Sequence, residues 1–249
     1  MRILTRCATA LCVAMAAGAA HAGPSQTIFA YTDGFTNDSV QLVLTIGSGS
    51  TTVFASSTGW YDQNGNHDAA ITSYLAGVCG STDSCNGDDL VRHNYLSFLL
   101  SPTLGTVTGA QLRIFNPDAS TDPGTALPIP PGYISDTASL TYMTYAVAAD
   151  AGRLAATHTG ATDIFADLGA GAVYGAAVVS PADDGAFVTV ELTDAAVADL
   201  NADIGQTFSV GGVVTPTRVP EPGSLTLIFG GLGVLSVLRR QQARQGGCA

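Results

Sequence analysis

The chain has 249 residues, 46% hydrophobic and only 12% charged, with 29 glycines and no lysine. Twenty acidic residues against nine basic ones leave a formal net charge of −11, a sign that repels nucleic acid and anionic lipid. The apolar share also excludes a disordered chain, which could not bury enough surface to offset its ordering entropy.

The N-terminus reads as a secretory leader. Arg2 and Arg6 give a basic start, residues 7–20 a short apolar stretch, and Ala20-His21-Ala22 the small-x-small form of a signal-peptidase site. Residues 1–22 are therefore expected to be a signal peptide cut after Ala22. The body that follows, 23–216, is the right size for one domain with a real core. Between residues 23 and 218 four arginines face nineteen Asp or Glu, which favours cationic or neutral-polymer partners.

Strands dominate the body. Residues 40–46 and 51–56 flank Gly47-Ser48-Gly49-Ser50 as a first pair, and 93–100 follows. At 107–115, Ala110, Leu112 and Ile114 alternate with Gln111 and Arg113, the period of a half-buried strand. Residues 116–132 are rich in Pro, Gly, Asp and Thr and read as a long loop. Further strands are predicted at 139–147, 173–179, 186–192 and 206–214. One short helix is predicted at 195–201, capped by Asp194, with Val197, Leu200 and Ile204 on one face. Many short strands with Gly-rich turns predict an all-β fold, an antiparallel β-sandwich of jelly-roll type.

Three features of the body could carry chemistry. Asp62, Asn64, Asn66 and Asp68 set oxygen side chains at alternate positions, as short calcium loops do. His67 stands where such a loop needs glycine, Ser73 stands where it needs glutamate, and Asp and Asn are ordinary turn formers, so a solvated turn is the preferred reading. No other cofactor is suggested. Trp60 and Tyr61 could stack on a sugar ring, although the single tryptophan of a chain is more often packed in its core. Cys79 and Cys85 are close enough for a local disulfide in an oxidising compartment.

Catalytic motifs are missing from the sequence. Glu191 is the sole glutamate of the body, so no glycosidase carboxylate pair is marked. No Gly-x-Ser-x-Gly elbow or His-Glu-x-x-His helix occurs, and His67, His93 and His158 stand singly. The expectation is a non-enzyme.

The C-terminal region, 217–244, is the most specific part. Pro220 and Pro222 keep Val219-Pro220-Glu221-Pro222 extended and reachable by a protease. Residues 223–238 form a sixteen-residue apolar run, about 24 Å long as a helix and short of a hydrocarbon core of about 30 Å. Arg239, Arg240 and Arg244 should stay cytoplasmic, which places the body on the outer side of the inner membrane.

Taken together, this tripeptide, transmembrane span and basic end (239–244) resemble the PEP-CTERM sorting signal of Gram-negative bacteria that make exopolysaccharide. The resemblance implies recognition of Pro220, Glu221 and Pro222 by exosortase, with Arg239 and Arg240 as the stop. It implies a precursor held transiently in the inner membrane after signal peptidase has acted, then release or attachment at the cell surface or extracellular matrix. The nine residues beyond Arg240 make the cytosolic end longer than the pattern.

A second resemblance covers residues 50–214. Gly59-Trp60-Tyr61, Asn66-His67, 94–98, 107–114, Asp167-Leu168-Gly169 and Tyr174-Gly175 are similar to a recurring exported module of PEP-CTERM proteins. It implies a jelly-roll fold and carries no activity. Two roles are therefore expected: a non-catalytic surface or biofilm-matrix protein associated with exopolysaccharide or, alternatively, a carbohydrate-binding module, with cleavage the weaker form of that alternative.

Overall fold

A computed structural model describes residues 26–31, 38–79, 88–121 and 128–216. Ala20, Ala22, Cys85, Pro220, Glu221, Pro222, Arg239 and Arg240 lie outside these residues, as do the whole predicted leader and tail. Contacts divide the chain into Met1–Pro216 and Thr217–Ala249, and all described elements belong to the first unit. Among the described residues no helix is long and apolar enough to cross a membrane; the span predicted at 223–238 falls outside them.

Fourteen strands are present among the described residues: β1 (Thr27–Phe29), β2 (Val40–Ile46), β3 (Gly49–Phe54), β4 (Ser57–Asp62), β5 (Ala76–Val78), β6 (Val91–Leu99), β7 (Val107–Asn116), β8 (Ser120–Thr121), β9 (Pro128–Ile129), β10 (Ile134–Ser135), β11 (Leu140–Ala146), β12 (Val173–Val179), β13 (Ala186–Glu191) and β14 (Thr207–Pro216). Three short helices accompany them: α1 (Ala151–Leu154), α2 (Thr162–Asp167) and α3 (Asp194–Ala202). One sheet runs β10-β1-β5-β6-β14-β11-β12, with β4 also paired to β6, and a smaller one runs β13-β7-β2-β3. β8 and β9 pair separately. Every pairing is antiparallel, so the architecture is all-β and sandwich-like.

The core lies where the two sheets face each other. Leu42, Leu44, Leu112, Ile114, Val188 and Val190 come from the small sheet, and Leu96, Phe98, Tyr142, Phe208 and Val210 from the large one. In β7 the expected alternation holds: Ala110, Leu112 and Ile114 are buried while Gln111 and Arg113 are only partly so. β2 and β3 turn on Gly47-Ser48, with Ile46 paired to Gly49. Gly47 takes a φ of +59°, the left-handed first position that a type II′ hairpin turn requires. The chain then changes sheets at a corner, where the Ala55 N–H donates to Val40 O at 3.0 Å and the Ser56 N–H to Ser97 O at 2.7 Å.

The eight predicted strands are all present, with ends shifted by a residue or two. β4 was not predicted. Its period-2 signal is hidden because both of its faces are covered, with Thr58, Gly59, Tyr61 and Asp62 all buried. The helix cap is also corrected: Thr193, not Asp194, is the N-cap, its Oγ1 accepting from the Ala196 N–H at 3.5 Å. Asp194 is the first helical residue, where its charge suits the positive end of the helix dipole.

The largest departure from expectation is residues 147–172. They carry α1 and α2 and fold over the outer face of the large sheet, burying Leu154, Ile164 and Leu168 against Tyr61 and Tyr95 as a second small core. Helices of four and six residues are too short for an apolar period to appear in sequence.

Candidate functional site

Consecutive side chains of a strand leave opposite faces, and β4 therefore separates Trp60 and Tyr61, the two aromatics considered for a stacking platform. Trp60 is half-buried beside Ile28, Leu75 and Cys79. Its Nε1–H donates to Ser73 Oγ at 3.0 Å, and the Arg92 guanidinium lies 4.7 Å from its ring centroid. Tyr61 is 0% exposed beneath the cap, and its hydroxyl donates to Leu154 O at 2.9 Å. Burial holds the Tyr61 phenol up at about 12. The two rings do not share a face and so form no joint stacking surface; Tyr61 is packed in the second core and Trp60 is half-buried, close to the core packing preferred from the sequence for the tryptophan.

The loop after β4 is also organised differently from a cation loop. Asp62 Oδ1 accepts from the backbone N–H groups of Asn64 and Asn66, both at 2.9 Å, and Oδ2 accepts from Asn66 Nδ2 at 2.9 Å. Asp68 instead accepts from the Ala70 N–H at 3.0 Å, closing a separate turn. The Asp62 carboxylate is thus consumed by internal donors, as in an Asx turn. Gly65, at a φ of +76°, sits where a Cβ would lie 2.3 Å from the Ala161 carbonyl carbon, so this loop is also a seat for the cap. Among the described residues no group of three or more His, Cys, Asp or Glu side chains is placed to hold a metal.

Cys79 is buried at the end of β5, and Cys85 lies outside the described residues. Two loop carboxylates, Asp88 and Asp184, are held by protein partners. Asp88 forms a 2.6 Å ion pair with the buried Arg92. Asp184 accepts from Asn116 Nδ2 at 2.7 Å and from the Tyr133 N–H at 3.0 Å, and burial raises its pKa.

Each of the three singly spaced histidines takes part in the junction between the sheet and the cap, His67 and His158 in one contact and His93 in another. His67 Nδ1 donates to Trp60 O at 2.9 Å, its ring stacks on Tyr61 with centroids 4.8 Å apart, and Tyr95 lies edge-on at 5.5 Å. Because a carbonyl only accepts, this bond fixes the Nδ1–H tautomer and leaves Nε2 facing the Tyr95 hydroxyl at 3.4 Å. His67 and His158 also exchange backbone hydrogen bonds, at 3.0 and 2.9 Å. His158 Nε2 donates to Arg153 O, and His93 Nδ1 to Phe165 O, both at 2.9 Å. Burial lowers the pKa of His67 and of His93. Tyr61, His67 and Tyr95 are nearly or fully buried, so the cluster fastens the cap.

The open feature of the body lies at the other edge of the cap. A groove of about 580 Å³ is lined by Asp150 and Asp167 of the cap, Tyr174 of β12, Asp199 and Asp203 from α3 and its end, and Gln206 and Ser209. Among the described residues no basic side chain lines it. The Tyr174 hydroxyl donates to Asp199 Oδ2. Asp167 Oδ2 accepts from the N–H groups of Ala148 and Ala149, both at 2.9 Å. Burial and then the Asp199 charge raise the pKa of Asp203. Such a lining can bind hydroxyls or an amine; it offers no activated nucleophile. Sequence reading passed over this groove, although the i, i+4 spacing of Asp199 and Asp203 at the end of a predicted helix already put two carboxylates on one side.

Neither protein-family models nor curated proteins gave a match to this chain.

Proposed function

We propose that this is an exported, non-catalytic cell-surface or extracellular-matrix protein, sorted through its tail. In this reading, signal peptidase removes residues 1–22 and the inner membrane of a Gram-negative cell holds the precursor at 223–238. Exosortase then acts at Pro220-Glu221-Pro222, leaving an acidic, jelly-roll-like body with exopolysaccharide or biofilm. The carrying observation is the ordered coincidence of a cleavable leader, an extended Pro-Glu-Pro, one apolar span and Arg239-Arg240 in a single chain. A Cys79–Cys85 disulfide belongs to the same proposal, since an exported body meets an oxidising environment. Replacing Pro220, Glu221 and Pro222 with alanines is expected to leave an uncut, membrane-bound precursor, detected by a mass shift and membrane fractionation. Normal processing of that variant overturns the reading.

The acidic groove favours a second reading, a module that holds a neutral polysaccharide segment. Carboxylates and amides are good partners for sugar hydroxyls, and the volume suits one or two sugar units. Retention of the protein on immobilised exopolysaccharide, lost in Asp199→Ala/Asp203→Ala, supports it. Equal retention of the variant removes the groove from consideration.

A further inference from the structure

We propose that His93 is an acid-operated latch: it fastens residues 147–172 to the outer face of the large sheet, and acidification releases this helical cap. The inference does not depend on how the chain is exported. His93 projects from β6, and Phe165 belongs to α2, so their contact joins the sheet to the cap. Their rings stack with centroids 3.9 Å apart and planes 13° from parallel, and His93 Nδ1–H also donates to the Phe165 carbonyl at 2.9 Å. Gly169, in the turn after α2, completes the seat. A Cβ there would lie 2.9 Å from His93 Cε1 and also 2.9 Å from Val213 Cγ2 of β14, so only glycine lets the cap close on the ring.

With Nδ1 carrying the proton that Phe165 O accepts, the neutral ring keeps its lone pair on Nε2. Acid adds a second N–H there. The groups around His93 are Phe165 and Gly169 from the cap, Val213 from β14 and Tyr61, its cross-strand partner in β4. No carboxylate or cation among the described residues acts on the ring. Asp163 and Asp167, the carboxylates of α2, are committed elsewhere, Asp167 to the Ala148 and Ala149 N–H groups and Asp163 to Arg153. An imidazolium would recover part of its lost hydration through the Phe165 ring face, but burial is the largest influence and holds the pKa below its ordinary 6.5.

The sign follows from linkage. With the cap closed His93 resists protonation; with the cap open it titrates near 6.5. The closed form is therefore fully favoured above about pH 6.5 and loses stability as pH falls below it. The loss levels off once the pH is below the closed-state pKa. At that limit the opening constant has grown tenfold for each unit by which closure depresses the pKa.

Hydrogen exchange of the full chain, corrected for the intrinsic pH dependence of exchange, tests this. Exchange in 147–172 is expected to accelerate between pH 7.5 and 5 while β2, β7 and β14 stay protected. The part of the limiting acceleration that is lost in a His93 variant should equal the factor calculated from the wild-type His93 midpoint measured by NMR, any remainder belonging to the buried His67. His93→Asn keeps a donor for the Phe165 carbonyl without titrating in this range, and it should flatten the acid response. If that variant does not fold, His93→Phe and the wild-type NMR titration take its place. A His93 midpoint at or above 6.5, uniform acceleration across the body, or an unchanged acid response in either variant would overturn the latch; the last outcome would assign the response to His67.

Discussion

Trp60 and Tyr61 are neighbours in the chain and lie on opposite sides of one sheet. Trp60 is pinned between Ser73 and the Arg92 guanidinium, while Tyr61 reaches through the second core to the Leu154 carbonyl. The pair therefore ties β4 to two separate layers.

Loss of either ring should be read in stability. Tyr61→Phe removes one buried hydrogen bond and leaves the Leu154 carbonyl short of a donor, a cost of about 1–2 kcal/mol in urea unfolding. Trp60→Ala should cost about 3 kcal/mol through lost packing and leave retention on polysaccharide unchanged in the folded fraction. Loss of retention at native stability would restore Trp60 as a ligand contact.

Two glycines in β14 serve the two faces in the same way. A Cβ on Gly211 would come within 2.3 Å of the Leu168 carbonyl oxygen in the cap, and one on Gly212 within 2.1 Å of the Tyr142 hydroxyl in the main core. Gly211→Ala should cost about 1–3 kcal/mol and raise hydrogen exchange selectively in residues 147–172. Gly212→Ala should instead disturb Tyr142 and Asn94, whose side chains bond at 3.1 Å, and lower protection across both sheets. Identical exchange maps for the two variants would contradict this division.

Asp203 gives a pH-dependent test in the groove. Its folded-state pKa is raised above the ordinary 3.8, by burial first and by Asp199 second, so its ionised form works against folding. Asp203→Asn should stabilise the protein at pH 7, by about 0.2–0.5 kcal/mol for relief of a like-charge i, i+4 pair. The gain should shrink as pH falls through the folded-state pKa and vanish below about 3.8, where both states of the wild type are protonated. Unfolding curves at pH 7, 5 and 3 measure it, and a gain that persists at pH 3 contradicts the account.

Local pattern was enough for strands with one face in water. The alternation of Ala110, Leu112 and Ile114 with Gln111 and Arg113 places β7 correctly, because the period-2 signal survives wherever the second face is solvated. The helix at 194–202 was legible for a similar reason, Leu200 being buried in the core and Val197 packed against it. The proposed leader and the proposed sorting tail rest on the sequence alone, since such addresses are recognised as short linear segments.

Tertiary structure decided everything that depends on residues far apart in the chain. β4 is hidden in sequence because the cap covers its second face. His67 meets His158, and His93 meets Phe165, only because residues 147–172 fold back across the paired β4 and β6. Asp62 was expected in a solvated turn rather than on a cation; the turn is there, but its carboxylate is buried and spent on the turn's own donors, a choice between partners that spacing cannot express. One-dimensional periodicity records which side of an element is apolar; it does not record which other element will come to cover it.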